Sequence, residues 1–277
     1  VAWIANRNGV ICCAFGLAVL LLHRRAVAAG RWPVAAVVLL PVGLLAGEAT
    51  LAVTAYLLSH ALFLEAGPLR RRLLRLAPYG AVVVVWRVAY SQLGYGARGS
   101  GLYLDPGREP VAFFLGLAER FPLLLADQWL GVPSMPANFL DPSLRLVMVL
   151  VCVGLLGTLA ALFWRAVSGS VTARFWAVGM ALSAIPVCAT FPSNRLLWFV
   201  GLGGAGLLAE FLVAAWHSER GLDRWTARGL AFLHIGLAPL LFVGNAMSMQ
   251  MMAEVMFERC EKEVPNDASV TGKTAIF

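Results

Sequence analysis

Apolar residues run along this chain in long blocks separated by short charged joints. The first block is about 9–22, closed by His23-Arg24-Arg25, and Trp3 and Ile4 extend it toward the length of a span. The next two, about 33–46 and 49–64, are separated only by Gly47-Glu48, which predicts a tight helical hairpin. One kinked span is the alternative reading. The joint stretch would measure roughly 50 Å at about 1.5 Å per residue, too long for a single crossing without steep tilt. A basic loop (Arg70, Arg71, Arg72, Arg75) leads to a fourth block at 78–93, which contains Arg87. Further blocks follow at 144–164, 175–190, 196–216 and 230–249. Blocks of this length predict transmembrane helices. The pattern therefore predicts an all-α polytopic membrane bundle of about eight spans.

The exception is the long stretch 94–143, rich in Gly and Pro. It holds Tyr103-Leu104-Asp105-Pro106 and a mostly apolar run at 111–130 that carries Glu119, Arg120 and Asp127 and is broken by Pro122. That run reads as an interfacial or re-entrant helix inside an outer loop.

Composition supports the class. Of 277 residues, 60% are hydrophobic and 13% charged, against about 45–50% and about 25% in soluble domains. This excludes an ordinary soluble domain, a disordered chain and a disulfide scaffold. The net charge of +7 sits mainly in joints between apolar blocks, not in one aromatic-interleaved patch, so nucleic acid is not the expected partner. With the first residues outside, the inner joints hold Arg24, Arg25, Arg31; Arg70, Arg71, Arg72, Arg75; Arg165, Arg174; and Arg220, Arg224, Arg228. The outer segments hold Arg7, Arg98, Arg108, Arg120, Arg145, Arg195, Arg259, Lys262 and Lys273, spread out and mixed with acids. Short, densely basic inner joints are the positive-inside pattern. A ninth span at 111–130 would put Arg220, Arg224 and Arg228 outside and is rejected. Both ends and the 94–143 loop then face the outside of a bacterial inner membrane. The chain opens Val-Ala-Trp without an initiator methionine and ends Thr274-Ala275-Ile276-Phe277, like a strand cut short. It reads as a fragment: a transmembrane domain at 1–249 and a charged tail at 250–277 leading toward an outer domain.

Several motifs are tempting. Gly201-Leu202-Gly203-Gly204-Ala205-Gly206 fits GxGxxG, but it lies inside an apolar block instead of at a strand-to-helix turn, so helix packing by small residues explains it better. Thr271-Gly272-Lys273-Thr274 resembles the end of a P-loop, but Asp267 stands where the earlier glycine belongs. Gly43 and Gly47 form a GxxxG spacing suited to close helix packing within the chain. The five cysteines (Cys12, Cys13, Cys152, Cys188, Cys260) show no CxxC and read as small hydrophobes. The histidines show no ligand spacing on one helix: His23 and His217 stand at loop edges, and His60 and His234 lie within spans. No metal site is expected from them.

Ionisable groups at membrane depth carry more information. Arg87 lies in the middle or outer half of its span and Glu48 at the hairpin tip. One reading is a structural Arg87–Glu48 pair; the other puts Arg87 in a polar cavity as an anion ligand. Arg195, in Phe191-Pro192-Ser193-Asn194-Arg195, is either a snorkelling anchor or a clamp on a lipid phosphate. Asp105, Glu109, Glu119 and Asp127 are outer-loop acids, and spacing selects none of them as a base.

Val1-Ala2-Trp3-Ile4-Ala5-Asn6-Arg7-Asn8-Gly9 and Gly43-Leu44-Leu45-Ala46-Gly47-Glu48-Ala49-Thr50 resemble the multi-spanning region of GT-C type glycosyltransferases. The resemblance is to the membrane half of the transmembrane-and-TPR O-mannosyltransferases and related bacterial proteins, and covers about residues 1–93. Those proteins have a Trp-Ile-Ala-x-Arg segment opening one span and a Ser-Lys-Glu-x-Ala segment at a later hairpin. Trp3, Ile4, Ala5 and Arg7 match the first, and Glu48 matches the second, with Ala49 at its variable position and Thr50 in place of its alanine. Ala46 and Gly47 stand where the family has Ser-Lys, so the role of that lysine is not carried over.

The resemblance implies a polyprenyl-phosphate-linked sugar donor, a membrane-lipid environment and transfer at the outer face. The family's key acidic residue lies in an outer loop that would precede Val1, so no catalytic base is nominated here. Arg7, Glu48, Arg87 and Arg195 are the candidate polar lining of a donor-lipid groove. The residues themselves identify no cofactor, and a divalent metal enters through the resemblance alone. Two rivals stay open: a small-molecule or lipid transporter, which predicts paired broken helices, and a non-catalytic membrane scaffold or anchor.

Overall fold

A computed structural model describes residues 7–96, 103–244 and 246–247. Trp3, Ile4, Ala5, Arg98 and the 250–277 tail lie outside the described residues. Among those described, every regular element is helical and no strand occurs. The chain divides into two compact units, and the larger runs from Trp3 to Ala227.

The larger unit opens with α1 (Arg7–Ala28) and α2 (Val34–Ala46). A 3-10 turn, Glu48–Ala52, leads into α3 (Val53–Phe63). Next come the short α4 (Leu69–Leu74) and α5 (Ala77–Gln92), then α6 (Pro110–Leu130). The remainder is α7 (Pro142–Gly169), α8 (Val171–Val187) and α9 (Trp198–Trp216). α10 (Gly221–Ala231) leaves this unit and continues through a π-helical turn, Phe232–Leu237, to Gly244. In the second unit, Phe232, Ile235, Leu240, Leu241, Phe242 and Val243 are exposed apolar side chains.

Among the described residues, five helices are long and apolar enough to cross a membrane: Arg7–Ala28, Leu69–Gln92, Pro142–Gly169, Trp198–Trp216 and Gly221–Gly244. At about 1.5 Å per residue even a 19-residue helix measures about 28 Å. With them stand three shorter apolar helices, Val34–Ala46, Glu48–Phe63 and Val171–Val187. The outward faces are apolar: Val34, Val38, Val42 and Leu45 form a stripe on α2, and Leu146, Val147, Leu150, Val151 and Val153 cover α7. In water such faces would be a liability; against lipid they are the expected surface. The chain is an integral membrane protein.

Contacts along α1 establish the hairpin. A Cβ on Gly43 would meet Phe15, and one on Gly47 would lie 2.8 Å from Cys12 Sγ, so α2 climbs α1 toward its N-terminus. Beyond the turn the direction reverses. Gly16 faces Val53, and His23 meets His60 with ring centroids 5.2 Å apart. The chain therefore turns back at Gly47-Glu48, as the two-residue joint predicts, and is not one kinked helix. Thr50 Oγ1 donates to the Gly43 carbonyl at 2.8 Å, and the Gly47 N–H donates to the same oxygen at 3.2 Å, which closes the turn.

α3 is the central helix. Tyr56 and Leu57 are fully enclosed, in a core with Val19, Leu40, Leu44, Val53, Phe175 and Phe199. Its polar groups are satisfied by neighbouring backbones: Ser59 Oγ donates to the Phe175 carbonyl at 2.7 Å, and Tyr56 donates to the Phe199 carbonyl. The glycines of α9 let α8 approach closely. A Cβ on Gly203 would lie 2.6 Å from Met180 Cβ and 2.9 Å from the Trp176 carbonyl.

Three boundaries differ from the sequence reading. α6 runs through Pro122 unbroken, because an internal proline removes one helical hydrogen bond and the surrounding core holds the rest: Pro122, Leu123, Leu124, Leu125 and Ala126 are all buried. α1 continues past His23-Arg24-Arg25, and α10 begins nine residues before the apolar block it serves, taking in Arg224 and Arg228. Arginine is a good helix former, so apolar periodicity underestimates such ends.

Candidate functional site

Two polar clusters lie at opposite ends of the α1–α3 hairpin region. The first is at the Gly47-Glu48 turn. The last turns of α5 bring Arg87 and Tyr90 there, and the segment before α6 brings Tyr103, Asp105 and Arg108. Arg87 Nη2 donates to both carboxylate oxygens of Asp105, each at 2.6 Å. The Gly107 N–H donates to Asp105 Oδ1 at 2.9 Å, and Arg108 Nε lies 4.0 Å from Oδ2. Tyr90 donates its hydroxyl to Glu48 Oε2 at 3.1 Å. Trp86, Tyr90 and Tyr95 pack in sequence as tilted rings, with centroids 5.1 and 5.6 Å apart, and the Arg87 guanidinium lies 5.9 Å from the Tyr90 ring.

Neighbouring elements fix this segment. The Leu104 N–H donates to the Ala189 carbonyl at 2.7 Å. From α6, Arg120 Nη1 donates to the carbonyls of Cys188 and Thr190, both at 3.0 Å. The residues just after α8 are thereby tied both to the segment before α6 and to the middle of α6.

Burial pushes the Asp105 carboxyl up, but the Arg87 hydrogen bond, the Gly107 N–H and the charges of Arg87 and Arg108 outweigh it. The net effect holds Asp105 below its ordinary value, so it stays ionised. Such a carboxylate is a weak proton acceptor and a good positioning group. Tyr103 is pushed up by burial first and by the Glu48 charge second, and remains a neutral hydrogen-bonding group.

The four predicted site residues fare differently. Glu48 and Arg87 join one cluster, linked through Tyr90. The direct Arg87–Glu48 pair does not form: Asp105, from the next loop, takes the guanidinium. Arg7 opens α1 and is exposed. Arg195 is exposed on the Asn194–Leu196 turn, 5.4 Å from the Phe191 ring. Both belong to the same end of the bundle, since a Cβ on Gly9 would lie 2.7 Å from Trp198 Nε1. Among the other loop acids, Glu119 pairs with Arg145 at 3.3 Å and Asp127 accepts from Ser134 N at 2.9 Å and Ser134 Oγ at 2.6 Å. Glu109 stands at the N-terminus of α6.

The second cluster is at the basic end. Arg72 Nη1 donates to the carbonyls of Ala61, Leu62 and Glu65 at 2.8, 3.0 and 3.0 Å, which closes the C-terminal end of α3. Arg75 pairs with Glu65 Oε1. His23 is read from sequence as a loop-edge residue, but α1 carries it inward, where it is 0% exposed and its Nδ1 lies 2.9 Å from the Tyr79 hydroxyl. His60 sits beside it. The convergence of His23, His60 and Glu65 has no signature on any single helix, because each comes from a different element.

No protein-family model, curated protein or solved structure matches the chain.

Proposed function

We propose that this chain is the membrane part of a GT-C-like glycosyltransferase that uses a polyprenyl-phosphate-linked sugar at the outer face of a bacterial inner membrane. In this arrangement eight helices cross, with α2, α3 and α8 as short spans among the longer ones. The Arg70–Arg75 end faces the cytoplasm, and the Glu48–Asp105 end, the 94–143 loop and both chain ends face outward.

The observation that supports this reading is the cluster at the hairpin turn. Glu48 and Arg87, carried there by the resemblance and by membrane depth, share it with Tyr90, Tyr103 and Asp105. An arginine at the outer end of a span, next to a row of aromatic rings, combines an anion ligand with a surface on which a sugar can pack. Asp105 engages a single guanidinium nitrogen and orients the group. Arg7 and Arg195, at the same end, supply further positive charge for a lipid pyrophosphate or phosphate. The ionised, arginine-bound Asp105 suits positioning better than proton abstraction.

The experiment is binding of a polyprenyl phosphate to the purified protein in detergent. Arg87→Ala and Arg195→Ala are expected to weaken it at least tenfold, with stability lowered by no more than the about 1 kcal/mol of a partly exposed ion pair. Unaltered binding by these folded variants would refute the lipid-phosphate role.

A further inference from the structure

We infer that His23, His60 and Glu65 form a divalent-metal site of zinc type at the basic end of the bundle. The inference does not depend on the glycosyltransferase reading, because it concerns the opposite end of the α1–α3 hairpin.

Three observations carry it. The residues come from α1, α3 and the turn after α3, yet each offers one ligand atom and these atoms lie within 4.8 Å of one another. All three side chains are withdrawn from solvent, with residue exposures of 0%, 5% and 6%. And one buried atom of each lacks a hydrogen-bond partner: His23 Nε2, His60 Nδ1 and Glu65 Oε2. Buried polar atoms are normally satisfied, and each orphan is costly. Here three residues that gather within metal-binding reach each carry such an orphan, and each orphan is of an atom type that ligates metal.

Their other atoms are held as an outer shell would hold them. His23 Nδ1 is 2.9 Å from the Tyr79 hydroxyl. If that nitrogen bears the proton and donates it to Tyr79, the tautomer presents the Nε2 lone pair to the ion. Arg75 occupies Glu65 Oε1 and leaves Oε2 free for the metal. The Arg72 bonds to the carbonyls around it fix the turn that carries Glu65.

Donor chemistry selects the ion. Two imidazole nitrogens and one carboxylate oxygen are a borderline set that suits zinc and its neighbours better than calcium or magnesium, which take oxygen ligands. Ligand atoms on a tetrahedral zinc lie about 3.3 Å apart, given bonds of about 2.0 Å. Binding therefore draws the three side chains inward by up to about an ångström and clamps α1 to the C-terminal end of α3. The three protein ligands leave the fourth position of a tetrahedral ion to a water, and the clamp on α1 and α3 is the role assigned here.

The test uses tag-free full chain in detergent, stripped with a chelator and titrated with Zn²⁺. The expected result is close to one zinc per chain, a zinc-dependent rise in Tm, and the visible absorption of a four-coordinate ion when Co²⁺ replaces zinc. His60→Gln should lower zinc affinity at least tenfold and abolish the Tm response. Tyr79→Phe should lower affinity about tenfold by releasing the His23 ring. His217→Ala should change neither. Should Glu65→Gln fail to fold because Arg75 loses its partner, the wild-type cobalt spectrum and His60→Gln still decide. Folded wild type that takes up no zinc, or His60→Gln that binds it as tightly as wild type, would overturn the assignment.

Discussion

Arg87 and Asp105, eighteen positions apart, meet through a single nitrogen: Nη2 of the arginine lies 2.6 Å from both oxygens of the aspartate. This contact pins the segment before α6 to the last turns of α5. The pair is partly exposed, with side-chain exposures of 34% and 20%, so its coupling should resemble a good surface pair, about 1 kcal/mol. A double-mutant cycle with Arg87→Ala and Asp105→Ala, read by thermal unfolding, measures it. Strict additivity of the two single changes would contradict the contact.

The same pair sets an acid limb. Asp105 is held below its reference value of 3.8 in the folded protein. The sign follows: stabilisation from this group is complete above the reference value and is lost as pH falls through the depressed folded value. Stability should therefore be insensitive to Asp105 from neutral pH down to about 4. Asp105→Asn should show a shallower loss of stability below that point than wild type, and an identical acid limb in the variant would contradict this.

Gly203 lies where α8 and α9 meet. A methyl group there would be 2.6 Å from Met180 Cβ and 2.9 Å from the Trp176 carbonyl. Gly203→Ala should therefore destabilise by about 1–3 kcal/mol. Gly154→Ala on α7, where nothing lies within 4 Å, should be neutral or stabilising by up to about 1 kcal/mol. Comparing the two midpoints in one denaturation assay tests whether α9 glycines serve helix packing.

Gly47 forms the turn between α2 and α3, packed against α1. Its Cβ position is 2.8 Å from Cys12 Sγ, and Cys12 also donates weakly to the Gly47 carbonyl at 3.4 Å. Gly47→Lys should cost about 1–3 kcal/mol through this clash. Combining it with Cys12→Gly should recover part of that loss. Full stability of the single variant would show that the turn opens more readily than its packing implies.

Much of this architecture was legible from the pattern of apolar blocks. The hairpin turn followed from the two-residue joint at Gly47-Glu48, and each apolar block in the described residues is helical. Boundaries were less legible. Arg24, Arg25, Arg224 and Arg228 sit on helices because a charged residue can extend a helix that the apolar period no longer marks. Pro122 signals a break that surrounding packing overrides.

For the site, Arg87 announced itself as a charge in a span, but its partner did not. Glu48 and Asp105 carry the same charge, and only the path of the loop after α5 decides which one reaches it. The His23–His60–Glu65 group was invisible for a related reason. Its ligands are spread over α1, α3 and a turn, so only the packing of α3 beside α1 brings them within 4.8 Å.

Use of a lipid-phosphate-linked sugar is best checked by turnover. The full-length protein, purified and shown to be folded, is incubated with a panel of radiolabelled polyprenyl-phosphate sugars, and donor consumption is followed. The account predicts consumption of at least one donor, falling at least tenfold in Arg87→Ala. Folded protein that consumes none across the panel would contradict it.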